Sequence, residues 1–243
     1  MVAGNDTSVP LAGMTSLVTG ASRGIGLAIA RRLAGLGSRI SICARDAARL
    51  ESAAAGLRRE GFEVLSGVAD VTSIEEIQGL VERTVRQLGP IDILVNNAGI
   101  GRFGPAHQFA EADWDDVLDT NLKSVFLVTR SVAPGMIERK RGHIVNISSL
   151  AGKNTFAGGG IYCASKWGLM GLSGCMAEDL RAHNIRVSVI CPGTVATDFS
   201  PHTGKDQLKM LQADDVAHAV ATLVTQAPQS FISEIDLRPT QKP

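Results

Sequence analysis

The chain has 243 residues, 44% of them hydrophobic, which suits one sizeable domain with its own core and is short for two. Its 24 basic residues balance 24 acidic ones, so the formal net charge is +0 and the overall field offers no pull on a nucleic acid or other polyanion. No apolar run reaches the roughly 18 residues that a membrane-spanning helix needs, so a membrane partner is not expected either.

Residues 1–12 carry neither the basic start nor the apolar centre of a targeting segment and are expected to form a loose tail ahead of a single domain over 13–243. Residues 14–19 are an apolar run ending at Gly20. The turn Ala21-Ser22-Arg23-Gly24-Ile25-Gly26 and a helical pattern over 27–33 follow, which predicts strand, glycine turn and helix in that order. Glycines let the backbone approach a phosphate, and the free N–H groups and dipole of a helix start attract its charge. The spacing is Gly-x-x-x-Gly-x-Gly, not the usual Gly-x-Gly-x-x-Gly fingerprint, and a plain tight turn is the alternative.

A second apolar run, 39–43, ends at Ala44-Arg45-Asp46, about 20 residues after the glycines, where a dinucleotide-binding unit meets the adenosine ribose. An acid there would hydrogen-bond a free 2′-hydroxyl, whereas arginine pairs with a 2′-phosphate. Ala44 carries no charge, Arg45 follows, and Arg23 can converge on the same phosphate, so NADP(H) is expected ahead of NAD(H). Arg45 also reads as a solvated residue at the sheet edge, and Asp46 also reads as the N-cap of the next helix.

Helix 47–60, strand 62–68, helix 74–88 and strand 91–95 alternate strictly, which implies a parallel sheet covered on both faces. Asp70-Val71 follows the third strand and Asn96-Asn97-Ala98-Gly99 the fourth, at carboxyl strand ends where open α/β sheets bind ligands; the asparagines also suit turns. Residues 114–136 read as one long helix with Asn121, a mediocre helix former, near its middle. Pro134-Gly135 fits a break before the strand 142–147, which ends at Ser148-Ser149.

After the Gly158-Gly159-Gly160 turn, helix 161–180 places Tyr162 and Lys166 four residues apart on one face. Tyr162 is the only tyrosine. A phenol titrates near ~10, and an ammonium beside it favours the phenolate, so the pair makes a usable acid and base; a packed tyrosine with a solvated lysine is the alternative. Ala164, Gly168, Gly171 and Gly174 allow close helix approach and predict a homo-oligomer. A strand over 185–191, the turn Pro192-Gly193-Thr194 with Val195 and Thr197, a polar segment 200–209, a helix 214–224 and a strand 231–237 complete the chain. Cys43, Cys163, Cys175 and Cys191 lack C-x-x-C spacing, which predicts reduced thiols and a cytoplasmic setting.

From about Gly13 onward the chain resembles the short-chain dehydrogenase/reductase family. The resemblance rests on Thr19-Gly20-Ala21-Ser22-Arg23-Gly24-Ile25-Gly26, Asn96-Asn97-Ala98-Gly99, Ser149 with Tyr162 and Lys166, and Pro192-Gly193 with Thr197. It implies a three-layer, Rossmann-like doubly wound sheet of about seven strands. It further implies a catalytic tetrad of Asn121, Ser149, Tyr162 and Lys166. Ser149 would bind the carbonyl oxygen, Tyr162 would give it a proton, Lys166 would lower the tyrosine pKa and bind the nicotinamide ribose, and Asn121 would hold a water. Asp70 and Val71 would lie against the adenine, Asn97, Ala98 and Gly99 beside the adenosine, and Pro192, Gly193, Val195 and Thr197 at the nicotinamide; no metal is implied.

The expected substrate is a small carbonyl compound or alcohol. Within the family, the Ser-Arg-Gly-Ile-Gly turn also resembles 3-oxoacyl-[acyl-carrier-protein] reductases. That reading makes the substrate an acyl thioester and requires a basic docking surface, for which Arg102, Lys205 and Lys209 are candidates. A non-catalytic NADP(H)-binding regulatory module is a third reading, disfavoured by the complete tetrad. Two departures stand out: the chain ends Ile235-Asp236-Leu237-Arg238-Pro239-Thr240 where many members have Val-Asp-Gly-Gly, and the segment between Thr197 and Asp214 is short, which predicts an open pocket.

Overall fold

A computed structural model describes residues 9–199 and 206–243. The strands are β1 (Thr15–Thr19), β2 (Arg39–Ala44), β3 (Val64–Val68), β4 (Ile91–Asn96), β5 (Gly142–Ile147), β6 (Ile185–Pro192) and β7 (Glu234–Leu237). Between them run α1 (Gly24–Gly35), α2 (Ala47–Arg59), α3 (Ile74–Leu88), α4 (Glu111–Leu118), α5 (Ser124–Arg139), α6 (Gly160–Arg181) and α7 (Ala213–Val224). The strands form one parallel sheet in the order β3-β2-β1-β4-β5-β6-β7. The order reverses between β1 and β4, and the crevice outside their carboxyl ends is where such sheets take ligands.

Burial follows the topology. The central strands β1 and β4 are buried at every position, as strands covered on both faces must be, while the edge strand β7 is half-exposed. Alternate side chains enter opposite layers: Val18, Ile40 and Ile42 pack with Ile29 and Leu33 of α1 and Val220 of α7, whereas Leu17 and Leu94 pack with Ile77 of α3 and Val132 and Met136 of α5. The helices begin where polar caps sit. Asp46 accepts from the Arg49 N–H at 3.0 Å and Ser73 from the Glu76 N–H at 3.3 Å, so Asp46 serves as the cap of α2.

Three local expectations change. Residues 1–8 of the expected loose tail lie outside the described residues, but Leu11 near its end is packed: it is 1% exposed in the core, and its N–H donates to Leu36 O at 2.8 Å. The long helix 114–136 is two helices joined by a π-helical turn, Asp119–Lys123. Pro134 does not end α5, which runs on to Arg139. Pro134 and Arg130, whose carbonyl it leaves without a helical donor, are both exposed to water, while Val132, Ala133 and Met136 hold the helix on the sheet. Among the described residues no helix is long and apolar enough to cross a membrane.

Candidate active site

At the carboxyl edge of the sheet lies a cavity of about 1220 Å³, lined from the β1 turn round to the residues after β7. At one end the chain turns through Gly20 (φ +65°) and Gly24 (φ +56°) into α1. No side chain caps the first N–H groups of α1, and its first turn holds no acid. Orphan donors and the positive end of the helix dipole therefore face the cavity, which fits a phosphate. A Cβ on Gly20 would lie 2.8 Å from Ala98 Cα, so this turn can approach the β4 loop only as glycine. Asn97 ties the two together: its Nδ2 donates to Thr19 O (2.9 Å) and Gly20 O (3.2 Å), and the N–H groups of Asn97 and Ala98 donate to Thr19 Oγ1.

Ser22, Arg23, Ile25, Gly26, Arg45, Asp70, Val71 and Gly99 line the cavity, as do Pro192, Gly193, Val195 and Thr197, with Thr197 set against the Gly24 turn. Arg49 also lines the cavity, one helical turn past the Asp46 cap; the sequence reading passed it over. The arginines are themselves exposed and are held by acids: Arg23 by Asp198 at 3.1 Å, Arg45 by the half-buried Asp70 at 3.8 Å and Arg49 by Asp46 at 3.3 Å. Exposed pairs of this kind contribute only about 0–1 kcal/mol, so an arriving phosphate can take these cations over.

Deeper in the cavity stand Ser149, Tyr162 and Lys166. Ser149 ends the segment after β5 and caps a short turn, accepting from the Ala151 N–H at 3.1 Å. Tyr162 and Lys166 share the cavity face of α6 and are 8% and 5% exposed. Lys166 Nζ donates to Ile147 O at 2.9 Å and lies 5.9 Å from the Tyr162 ring centroid. Burial pushes the phenol up to about 12, and the Ser149 hydroxyl bonded to it only partly offsets this; burial also pushes Lys166 down to about 8. Desolvation is the largest of the causes on the phenol and holds it in its protonated form, while Lys166 Nζ is aimed at a backbone carbonyl.

Asn121 stands in the π turn, behind the cavity wall that its neighbour Thr120 lines. Its Oδ1 accepts from the Ile100 N–H (2.8 Å), and its Nδ2 donates to Ile100 O (2.9 Å) and Ser165 Oγ (3.0 Å). Both amide hydrogens are spent on protein, tying the loop after β4 to α6. Of the docking candidates, Arg102 is paired with Asp113 and Asp116, Lys209 with Asp206, and Lys205 lies outside the described residues.

The sequence reading missed four further contributors. Phe103, Phe156 and Phe199 line the cavity around Tyr162; the one available signal was scarcity, since the chain has only seven phenylalanines. The atypical end after β7 also reaches the site. Gly193 N–H donates to Leu237 O at 2.8 Å, and Arg238, Pro239 and Lys242 line the cavity. Lys153 pins this strand beside Ser149 by donating to Glu234 and, at 2.7 Å, to Asp236.

Residues 14–208 match the family model for short chain dehydrogenase. A protein assigned as ketoacyl reductase 1 of the granaticin polyketide synthase of Streptomyces violaceoruber is 47% identical over 187 residues, covering 76% of this chain and 69% of that protein. Gluconate 5-dehydrogenase of Gluconobacter oxydans is 41% identical over 197 residues, covering 81% of this chain and 77% of that one. Among solved structures, a metagenomic short-chain oxidoreductase in complex with NADP superposes with a TM-score of 0.85 at 45% identity, covering 96% of this chain and 100% of that chain. A variant of actinorhodin polyketide ketoreductase with NADPH gives 0.87 at 36% identity, covering 93% and 96%. With that match spanning most of the chain and the fold and site geometry in agreement, this protein belongs to the short-chain dehydrogenase family of oxidoreductases.

Proposed function

We propose that this protein transfers a hydride between NADP(H) and a carbonyl compound or secondary alcohol, with Tyr162 as the acid and base. The observation that carries the proposal is the shared cavity: an uncapped, acid-free helix start with three arginines at one end, and a buried phenol, hydroxyl and ammonium at the other. NADP(H), when bound, supplies or accepts the hydride. The N–H groups at the start of α1 with Gly20, Ser22, Gly24, Ile25 and Gly26 bind its diphosphate, and Arg45, aided by Arg23, binds the 2′-phosphate. The one acid at the end of β2, Asp46, is spent as a helix cap, which favours NADP(H) over NAD(H). Its relatives' solved complexes with NADP and NADPH support the same choice.

Asp70 and Val71 then face the adenine, Asn97, Ala98 and Gly99 its sugar, and Pro192, Gly193, Val195 and Thr197 the nicotinamide. In reduction, Ser149 donates a hydrogen bond to the carbonyl oxygen and Tyr162 gives it the proton. Lys166 binds the nicotinamide ribose and stabilises the phenolate once the proton has left. Asn121 positions Ile100 and Ser165 and touches neither reactant. A phenol held protonated up to about 12 suits reduction at neutral pH, where the acid form needs no activation.

The test is Tyr162→Phe. Turnover of NADPH with ketones should fall by at least about 10²-fold, the scale of a lost general acid, while NADPH still binds by fluorescence titration. Retained turnover would remove Tyr162 from the mechanism. A ketoacyl thioester is the second reading, favoured by the 47% identity to a ketoacyl reductase; efficient reduction of an acetoacetyl thioester would select it. The four free cysteines fit a reducing, cytoplasmic setting.

A further inference from the structure

Three phenylalanines from distant loops meet round the phenol: Phe103 after β4, Phe156 before α6 and Phe199 after β6. Phe103 sits edge-on to Tyr162, centroids 5.4 Å apart at 63°, and Phe199 lies 5.8 Å from Tyr162 at 55°. Phe156 extends the wall, 6.2 Å from Phe103. All three line the cavity yet are 40%, 50% and 41% exposed, in a chain whose aromatic content is only 4%. Large apolar rings left in contact with water and gathered at a reactive group indicate a surface kept for an apolar ligand.

The wall is pre-formed. Gly104 N–H donates to Gly158 O at 2.8 Å, joining the loops that carry Phe103 and Phe156. Two rings rest on bare glycine backbone: a Cβ on Gly101 would lie 2.7 Å from Phe103 and 3.0 Å from Phe199. A Cβ on Gly159 would lie 2.6 Å from Phe156. Each ring thus has glycine backbone against its outer edge atoms, and all three line the cavity. Beside the rings the lining residues Ile100, Asn154 and Thr155 are uncharged, and Asp198 is taken by Arg23.

We infer that this end of the site selects a bulky, flat ketone whose carbonyl is attached to an aromatic ring system, over small aliphatic and polyhydroxylated anionic ketones. The inference rests on the oxidoreductase reading above. Aromatic faces supply stacking and edge contacts to another ring, each worth about 2- to 12-fold in binding. They offer no hydrogen bond to the hydroxyls of a sugar acid, which would lose water without replacement.

The experiment measures kcat/KM with NADPH at neutral pH for 2-acetylnaphthalene, 2-butanone and 5-keto-D-gluconate, using the purified full chain. The aryl ketone should exceed 2-butanone by about 4- to 140-fold, the product of two ring contacts, with the keto-sugar acid below both. In Phe103→Ala and Phe156→Ala the aryl-to-aliphatic ratio should fall about fivefold or more, with Phe103→Leu intermediate because it keeps apolar area without a ring. A wild-type ratio near one, a preference for 5-keto-D-gluconate, or a ratio unmoved in Phe103→Ala would overturn the inference and leave the oxidoreductase reading standing. No turnover of any carbonyl by NADPH-binding protein would overturn both.

Discussion

On the proposed reading, cofactor choice falls to a single residue, Arg45. Its side chain is 63% exposed and holds Asp70 at 3.8 Å, a loose contact that carries little stability and leaves the fork free to turn to a phosphate. Hydrogen bonds to charged groups contribute about 1.5–3 kcal/mol, so Arg45→Ala should raise the KM for NADPH by about tenfold or more. NADH has no 2′-phosphate, and its KM should change by less than about threefold on the scale of a lost surface contact. Steady-state kinetics with both cofactors checks this; equal losses would assign the 2′-phosphate to Arg23 or Arg49. Asp46 matters in the same comparison, because its carboxylate, one residue further on, caps α2 and pairs with the Arg49 guanidinium at 3.3 Å, which offsets its charge beside that phosphate.

At the scale of elements, the β5, β6 and β7 side of the sheet carries a buried polar chain that should register in stability. His143 on β5 meets Ser188 Oγ on β6 at 2.9 Å, and Ser188 donates its one hydrogen to Ile232 O at 2.6 Å just before β7. His143 Nε2 must then be the donor, and its buried Nδ1, which has no partner, carries no proton. Burial holds this histidine down to about 3, against 6.5 for a free one. The sign follows: below pH 6.5 the unfolded chain takes up a proton that the folded chain refuses. The stability tied to His143 is therefore complete above about 6.5 and drains as the pH falls toward 3, by up to about 1.4 kcal/mol per unit. Urea-unfolding midpoints between pH 7 and 4 should fall more steeply for the native chain than for His143→Gln, which keeps a donor toward Ser188 and cannot titrate. Parallel slopes would mean that His143 is protonated in the folded state.

For the whole molecule, what could be read in advance was what sequence neighbours decide. The strict strand–helix alternation, the glycine turn and the Tyr162–Lys166 spacing are local patterns, and α3 and β5 fall where their periodicity put them. What could not be read depends on chain segments far apart. The ring wall joins residues 103, 156 and 199, the tail after Leu237 folds back over Gly193, and the phenol's pKa is raised by the protein packed over it. The same distinction applies to assembly. The small residues of α6 suggested a close-packed interface, and in the fold Gly171 and Gly174 have nothing within 4 Å of an added Cβ, while Gly168 is already filled by Leu122. Trp167 of α6, Phe126 of α5 and Trp114 of α4 are 51%, 44% and 48% exposed, large apolar side chains that a second copy would bury. We therefore expect a homo-oligomer with α6 in the interface. A buried tryptophan at such a contact typically contributes 2 kcal/mol or more, so Trp167→Glu should weaken self-association by roughly 30-fold and shift the mass measured by light scattering toward the monomer. Because Trp167 is half in solvent within one copy, the variant should keep the thermal stability of a folded monomer; a wild-type mass of one chain would rule the interface out.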